Sequence, residues 1–138
     1  ISDENGNVMA LDRNLKEIWR INVGEQVAAS VAVAADNNEL FVVTRKDIFK
    51  LWDKGDHAER GWQAQLDAFP DHTNINALTP TITANGIAVS IGASRELGGN
   101  SLLMTVGFGL LDRDSGKLRG FVQGVEESIA KLQQIYND

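Results

Sequence analysis

The architecture of this chain follows from Met9-Ala10-Leu11-Asp12-Arg13-Asn14-Leu15-Lys16-Glu17-Ile18-Trp19. This stretch predicts a strand ending in Leu-Asp, a polar turn, and a short second strand ending on an aromatic residue. The pattern returns as Leu51-Trp52-Asp53 with Trp62, and as Leu110-Leu111-Asp112 with Phe121. A unit that recurs every few tens of residues is typical of propellers and solenoids, in which each unit buries its apolar faces against the next.

The aspartates of the three copies are spaced as the blades of a propeller would be. Asp53 follows Asp12 by 41 residues (53 − 12), and Asp112 follows Asp53 by 59 residues (112 − 53). The first interval matches a propeller blade, which takes roughly 40–45 residues. The second interval is longer, and the excess falls in two predicted loops at 67–76 and 92–100.

Residues 25–66 predict one complete four-stranded blade. Its innermost strand, 26–35, is rich in alanine and valine and is compatible with a helix or a buried strand. The valines and the turn Asp36-Asn37-Asn38 that follows favour the strand. The other predicted strands of this blade are 39–45, 48–53 and 61–66.

The pattern restarts over residues 67–124, which predict a second complete blade with loop insertions. Pro80 lies within its first predicted strand, 77–83, and implies an unpaired position there because proline has no N–H. A glycine-rich loop is predicted at 92–100. Its third strand is predicted to carry a bulge or a close approach at Gly107 and Gly109.

The two ends of the chain complete the predicted organisation. Residues 1–24 predict the second half of another blade. Residues 125–138 place apolar residues at helical spacing, which predicts a short amphipathic helix, with a tail or a distorted strand as the alternative. The predicted fold class is therefore all-β: a partial β-propeller of about two and a half four-stranded antiparallel blades with a short C-terminal helix.

Composition excludes several classes of function. The chain has 138 residues, 43% of them apolar, a net charge of −6 and a pI near 4.8. The negative charge argues against nucleic acid or anionic lipid as a partner. The lack of cysteine excludes disulfides, cysteine-ligated metal sites and a thiol nucleophile. No apolar run is long enough to span a membrane, and no signal peptide is visible. The first residue is Ile1, so we expect either a removed leader or an excised piece of a longer polypeptide.

The stretch from Met9 to Trp19 resembles the tryptophan-docking repeat of the pyrroloquinoline-quinone-like (quinoprotein) β-propellers. That repeat runs Ala-x-Asp, a turn that usually contains Gly, then Trp. The first copy here is one residue shorter and has Leu15 or Lys16 where Gly is expected. In this family the Trp is a flat plate that fills the gap between blades, and the Asp accepts hydrogen bonds from turn N–H groups.

The other copies depart further from the repeat. The third keeps Asp112 and the turn glycine Gly116, but Gly120 and Phe121 stand where Trp is expected. The middle copy keeps Leu51, Asp53 and a displaced Trp62. The segment 78–82 resembles the small-Pro-apolar opening of such blades, so the likeness covers residues 5–123. The resemblance implies structural roles for the motif residues Asp12, Trp19, Asp53, Trp62, Asp112 and Phe121.

The resemblance implies one of two functions. Some members bind a quinone cofactor with Ca²⁺ and oxidise alcohols or sugars; others have lost the cofactor and serve as scaffolds, as in the outer-membrane protein assembly lipoprotein. Complete propellers of this kind have about seven or eight blades. Two and a half blades cannot close a ring, and open sheet edges invite aggregation. We therefore expect an oligomer or a longer parent chain, whose remaining blades or another protein would be the partner.

No residue is predicted to be catalytic, to bind a cofactor or to hold a metal. Asp3-Glu4-Asn5-Gly6-Asn7 begins like a calcium loop but lacks the later glycine and glutamate, so a hairpin turn is favoured. The turn that starts at Asp112 is interpreted in the same way. His57 lies in a charged segment, where a solvated loop is favoured over a metal site. A quinone would need a stacking tryptophan, and Trp52 is the one left over from the repeat.

We therefore interpret the chain as a non-catalytic propeller segment that serves as a protein-binding or assembly scaffold, periplasmic or extracellular, without a cofactor. A fragment of a quinone- and calcium-dependent dehydrogenase is the first alternative, and a carbohydrate- or cell-surface-binding propeller is the second. Recognition is assigned to loops on a rigid frame, at 54–60, 67–76 and 92–100. The candidate recognition residues in these loops are Asp56, His57, Asp71, His72, Arg95 and Glu96.

Overall fold

The computed structural model describes residues 1–65, 75–77, 79–97 and 100–123. Within these residues the chain forms antiparallel sheets and no helix. The fold is that of a partial β-propeller, as the sequence predicts. The helix predicted over 125–138 lies outside the described residues. The described part contains no helix that is long and apolar enough to cross a membrane.

Three sheets follow one another along the described chain. The first pairs β1 (Asn7–Leu11) with β2 (Glu17–Asn22). The second runs in the order β3 (Ala32–Ala34), β4 (Glu39–Val43), β5 (Asp47–Asp53) and β6 (Ala58–Gln65). The third contains β7 (Ile75–Ala77), β8 (Thr81–Ile82), β9 (Gly86–Leu97), β10 (Asn100–Asp112) and β11 (Leu118–Gln123).

The ambiguous segment 26–35 forms a strand at its end, as the valines favoured. β3 pairs with β4, and Val27 forms an isolated bridge to Thr44. The unpaired position expected at Pro80 is present, but the single strand predicted over 77–83 is not, because β7 and β8 are separate strands that pair with two different stretches of β9. Proline cannot donate to the ladder, so this inner position of the third sheet is divided in two.

The predicted loop at 92–100 is wrong. β9 continues through Leu97, β10 begins at Asn100, and these two residues pair with each other. Gly92 is a strand residue paired with Thr105. The glycines suggested an irregular loop, but a glycine also fits within a strand whose partner continues to pair on either side. Residues 98–99, between the two strands in the chain, lie outside the described part.

All three hairpins that carry the repeated motif share one irregularity. The register shifts between Ala10 and Leu11 in the first sheet, between Phe49 and Leu51 in the second, and between Leu110 and Leu111 in the third. Each shift lies shortly before the motif aspartate. A bulge raises the local twist and redirects the strand end. The repeat seen in the sequence is therefore a repeat of backbone geometry.

The central strands of the second sheet, β4 and β5, are buried on both faces over most of their length. Alternate residues of β4 point to opposite sides. Leu40 and Val42 join a cluster against the first sheet, which we call the first interface. Phe41 and Val43 join a cluster against the third sheet, which we call the second interface. The remaining buried members are Val8, Trp19, Val23, Phe49 and Leu51 in the first interface, and Ala32, Ala34, Ile48, Ile87, Val89 and Leu111 in the second.

Candidate functional site

The motif aspartates hold the turns that follow them. The Asp12 carboxylate accepts the backbone N–H groups of Asn14 and Lys16 at 2.8 and 2.9 Å. The Asp112 carboxylate accepts those of Asp114 and Ser115 at 3.0 and 2.8 Å. The hydrogen bonds from Ser115 are the main reason that the pKa of Asp112 lies below its ordinary value. These carboxylates are thus engaged by their own turns.

Each of two tryptophans crosses to the following sheet. The indole N–H of Trp19 donates to the Asp53 carboxylate at 2.9 Å, and the same oxygen accepts the N–H of Gly55. The indole N–H of Trp62 donates to the backbone carbonyl of Arg113 at 2.9 Å. Both tryptophans therefore bind the turn after the motif aspartate of the next sheet.

Gly116 is the position where this docking is tightest. Its φ is +71°, a conformation that side chains other than glycine rarely adopt. A Cβ atom added there would lie 2.5 Å from Cδ2 of Trp62. The equivalent turn of the second sheet has Gly55 at φ +93°, where an added Cβ meets no heavy atom within 4 Å.

Three charged residues are buried together at the second interface: Glu39, Lys50 and Arg113, which we call the buried ion cluster. Lys50 Nζ lies 2.8 Å from one Glu39 carboxylate oxygen, and Arg113 Nε lies 2.6 Å from the other. Lys50 Nζ also donates to the backbone carbonyl of Arg113 at 3.2 Å. The cluster therefore joins β4 and β5 to the turn between β10 and β11.

The charges of the cluster reinforce each other. Burial raises the pKa of Glu39, but hydrogen bonds and charge from Lys50 and Arg113 outweigh that effect and leave this pKa below its ordinary value. The Arg113 guanidinium also donates to the backbone carbonyl of Thr83 at 3.2 Å and lies 3.5 Å from the exposed Asp36 carboxylate. Its hydrogen bond with Glu39 is the main reason that the pKa of Arg113 is raised.

Sequence reasoning missed this cluster, although one signal was available. Residues 48–51 read Ile-Phe-Lys-Leu, so both alternating faces of this strand are apolar. Lys50 must therefore lie on a buried face, on the same side as Ile48, and a buried lysine needs a carboxylate. The identity of that carboxylate could not be derived, because Glu39 and Arg113 stand 74 positions apart in the chain.

Trp52, the candidate for stacking on a quinone, is partly buried and already has cationic neighbours. Lys50 Nζ lies 4.1 Å from the ring centroid, and Lys54 Nζ lies 5.5 Å from it. These distances are those of cation–π contacts. Next to it is an open polar depression of about 400 Å³, lined by Asn38, Asp53, Lys54 and Gly55.

The predicted loop at 54–60 is shorter in the structure, because β6 begins at Ala58. His57 lies between two carboxylates: Nδ1 is 2.6 Å from Asp56 and Nε2 is 3.2 Å from Glu59. The hydrogen bonds with Asp56 and then Glu59 raise the pKa of His57. Asp56 is 90% exposed, so the loop is solvated. In the described residues no three histidine, aspartate or glutamate side chains are grouped as a metal site would need.

The remaining candidate recognition residues are Asp71, His72, Arg95 and Glu96. Asp71 and His72 lie outside the described residues. Arg95 and Glu96 are in β9, not in a loop, and pair with Leu102 and Ser101 of β10. The predicted turn after Asp3 is present, because its carboxylate accepts the N–H groups of Asn5 and Asn7, each at 2.9 Å.

The third sheet departs from the tryptophan motif. Trp19 pairs with Ala10 in the first sheet, and the corresponding pair in the third sheet is Gly120 with Leu110. Phe121 pairs with Gly109 instead. Gly120 thus occupies the register position of the docking tryptophan. On the partner strand β10, Phe108 is 52% exposed and Leu110 is 37% exposed.

Comparison with known proteins supports the fold. The chain is similar to the crystal structure of BamB from Moraxella catarrhalis, a β-propeller protein, with a TM-score of 0.63 and 13% sequence identity. The match covers 91% of this chain and 32% of that chain, so the chain spans about a third of its structural relative. No protein-family model matches the sequence, and no curated protein matches it.

Proposed function

We propose that this chain is part of a non-catalytic β-propeller that serves as a protein-binding or assembly scaffold in the periplasm or outside the cell. Two features support the proposal. The fold is similar to that of BamB, and the repeat resembles that of quinone-type propellers, some of which are scaffolds. The location rests on the same resemblance and on the lack of cysteine.

One observation carries the non-catalytic part of the proposal. In the described residues every buried side-chain nitrogen and oxygen atom has a hydrogen-bond partner. Glu39, Lys50 and Arg113, three of the four buried charged residues in the described part, are held in ion pairs between two sheets. Charged groups held in this way between two sheets fit a structural role.

The described residues do not fit a quinone with calcium. Such a site needs an aromatic platform that is free to stack, and oxygen ligands that are free to bind the cation. Trp52 has the ammonium groups of Lys50 and Lys54 over its ring. The carboxylates of Asp53 and Asp112 accept hydrogen bonds from a tryptophan or a turn.

Exposed loops remain as the surface for a partner. The turn 54–57 presents Asp56 and His57 to solvent at the end of β5, a strand that is buried over most of its length. Short exposed turns on a rigid frame are where recognition residues commonly lie. We assign protein recognition to this turn first.

The test is site-specific photo-crosslinking in cells that make the protein. A photoreactive residue replaces Asp56, and in a control variant it replaces Asn14, which is also exposed and lies in the equivalent turn of the first sheet. The proposal predicts one discrete protein adduct from position 56 and none from position 14. The same adducts from both positions, or none from either, would contradict it.

A second measurement tests the absence of a cofactor. Native mass spectrometry of the purified protein is recorded with and without added pyrroloquinoline quinone and Ca²⁺. The scaffold proposal predicts no bound quinone. A stoichiometric quinone–calcium adduct, together with dye-linked oxidation of alcohols or sugars, would replace the scaffold with the dehydrogenase.

A further inference from the structure

The turns of the first and third sheets share one arrangement of hydrogen bonds but differ at one residue. The N–H of Leu15 donates to the backbone carbonyl of Asp12 at 3.0 Å, and the N–H of Gly116 donates to that of Asp112 at 2.8 Å. Leu15 and Gly116 both have positive φ, +63° and +71°. Glycine adopts this conformation readily, whereas it is strained for a bulky side chain. Leu15 therefore stands at the glycine position of the turn.

Leu15 lies on the side of the first sheet where another sheet could dock. A Cβ atom added at Gly116 would meet Trp62, which belongs to the preceding sheet. Since the two turns share their hydrogen bonds, the side chain of Leu15 extends in the corresponding direction, away from the second sheet. It is 78% exposed, and Ile18, whose neighbour Trp19 faces the second sheet, is 49% exposed. The first sheet thus presents two large apolar side chains to solvent.

The outer face of the third sheet has a space where the docking residue of the other sheets stands. Gly120 occupies the register position of Trp19, and a Cβ atom added at Gly120 would meet no heavy atom within 4 Å. Leu110 is its cross-strand partner, and Phe108 lies two residues further along β10 on the same face. Both of these side chains are exposed. Apolar surface therefore lies beside the space.

Leu15 and Gly120 reverse the sizes of the pair that docks at the second interface. There the large side chain, Trp62, comes from the outer strand of one sheet and packs on a glycine, Gly116, in the turn of the next. Between the third sheet of one copy and the first sheet of another, the outer strand would supply the glycine and the turn would supply the large side chain. A large residue opposite a small one is what close packing between two surfaces requires.

We propose that the outer face of the third sheet binds the first sheet of a second copy of this chain, with Leu15 of that copy in the space at Gly120. The two copies then follow one another as successive sheets of one chain do, which continues the docking seen at both interfaces. The two patches differ, so the contact is head-to-tail and builds a ring if the rotation closes or a filament if it does not. The inference is independent of the scaffold proposal, since it concerns contact between copies and not a foreign partner.

Sedimentation velocity over a range of protein concentrations tests the contact by exchanging the two residues. The wild type is expected to form species larger than the 15.0 kDa chain as the concentration rises. L15G removes the leucine and G120W fills the space, so each variant should weaken association roughly tenfold. L15G/G120W recreates a tryptophan that docks on a glycine and should associate like the wild type. A monomeric wild type would overturn the proposal, and so would a double variant as weak as the single ones.

Mixing the two single variants tests whether the contact joins two different patches. L15G keeps the space at Gly120, and G120W keeps the side chain of Leu15, so one copy of each can form the original contact. The proposal predicts complexes in the mixture that neither variant forms alone. A mixture that associates no better than its components would contradict the inference.

Two controls separate this contact from changes in the fold or in general surface hydrophobicity. Val33 is 60% exposed on β3, a surface that the proposal does not use, so V33A should associate like the wild type. Glycine suits the positive φ at position 15, and position 120 has room for a side chain. Both single variants should therefore keep at least the urea midpoint of the wild type. If V33A weakens association as much as L15G does, the loss is not specific to this contact and the proposal is overturned.

Discussion

The two interfaces between sheets use the same tryptophan contact and differ in what surrounds it. At the first interface Trp19 donates to the Asp53 side chain, and the residues around it are apolar. At the second interface Trp62 donates to the backbone of Arg113, and the buried ion cluster lies beside it. The indole N–H of the tryptophan can therefore donate to the motif aspartate itself, or to the backbone carbonyl of the residue that follows that aspartate.

The difference has an energetic consequence. An apolar interface loses stability gradually as contacts are removed, in proportion to the area and cavity involved. A buried ion cluster loses much of its contribution to stability with a single substitution. The loss of one member leaves the remaining charges in the protein interior, which solvates them poorly. Single substitutions should therefore separate the two interfaces clearly.

The largest effect is expected at Glu39. Glu39→Met leaves the buried Lys50 with no counter-charge and Arg113 with only the exposed Asp36, and should lower the free energy of unfolding by about 3–5 kcal/mol. Urea denaturation followed by tryptophan fluorescence measures the change. The matched control is E39M/K50M/R113M, which removes all three charges and should recover most of the loss. If the triple variant is as unstable as E39M, loss of packing and not unpaired charge explains the effect.

Paired glycine substitutions come next, because they differ only in the tryptophan contact. Gly55→Ala introduces backbone strain alone and should cost about 1–2 kcal/mol. Gly116→Ala adds a Cβ 2.5 Å from Trp62 and should cost roughly twice as much. Thermal unfolding of the two variants in parallel gives the comparison. Equal losses at both positions would show that Trp62 does not pack on this turn.

The acid sensitivity of the two interfaces should also differ. The folded-state pKa of Glu39 lies below its ordinary value of 4.5, because the salt-bridge partners outweigh burial. Such a group adds stability above that pH, and the contribution is lost as the pH falls through its folded-state pKa. The wild type should therefore lose stability below pH 4.5 more steeply than E39Q. Stability is measured for both proteins across this acid range. If the free energy of unfolding falls with pH at the same slope in the wild type and in E39Q, the lowered pKa of Glu39 is contradicted.

The smallest effect is expected for an ion pair outside both interfaces. Arg20 and Glu17 lie 2.7 Å apart on β2, and both side chains are exposed. Exposed pairs of this kind contribute little, and many contribute nothing measurable. Glu17→Gln should therefore leave the urea midpoint unchanged. A loss comparable to that of E39M would show that burial is not what distinguishes the two ion pairs.

Much of the fold could be predicted because its signals are local. The apolar runs within 39–45 and 48–53 predict strands, and β4 and β5 lie there. Pro80 predicted a break, and the inner strand is divided there. The turns were evident from Asp, Asn and Gly. These features depend on residues within about ten positions of one another.

The remaining features of the fold and of the site depend on contacts that cannot be derived from local sequence patterns. The buried ion cluster brings together residues from two sheets, and Glu39 and Arg113 resemble ordinary surface charges when considered alone, although the apolar neighbours of Lys50 indicate that it is buried. The prediction of a loop at 92–100 was wrong for a related reason. Glycine is compatible with both a loop and a strand, and the pairing of β9 with β10 decides between them. Among the candidate recognition residues, the described structure brings Asp56 into contact with His57.

The most direct test of the account is whether the second and third sheets are joined by Glu39 and Arg113. A double-mutant cycle with E39M, R113M and E39M/R113M measures the coupling free energy between these two positions. The structure predicts a coupling of about 1–3 kcal/mol, as expected for residues in direct contact within one network. A coupling indistinguishable from zero would mean that these positions do not meet, and would contradict the docking of successive sheets on which the propeller assignment rests.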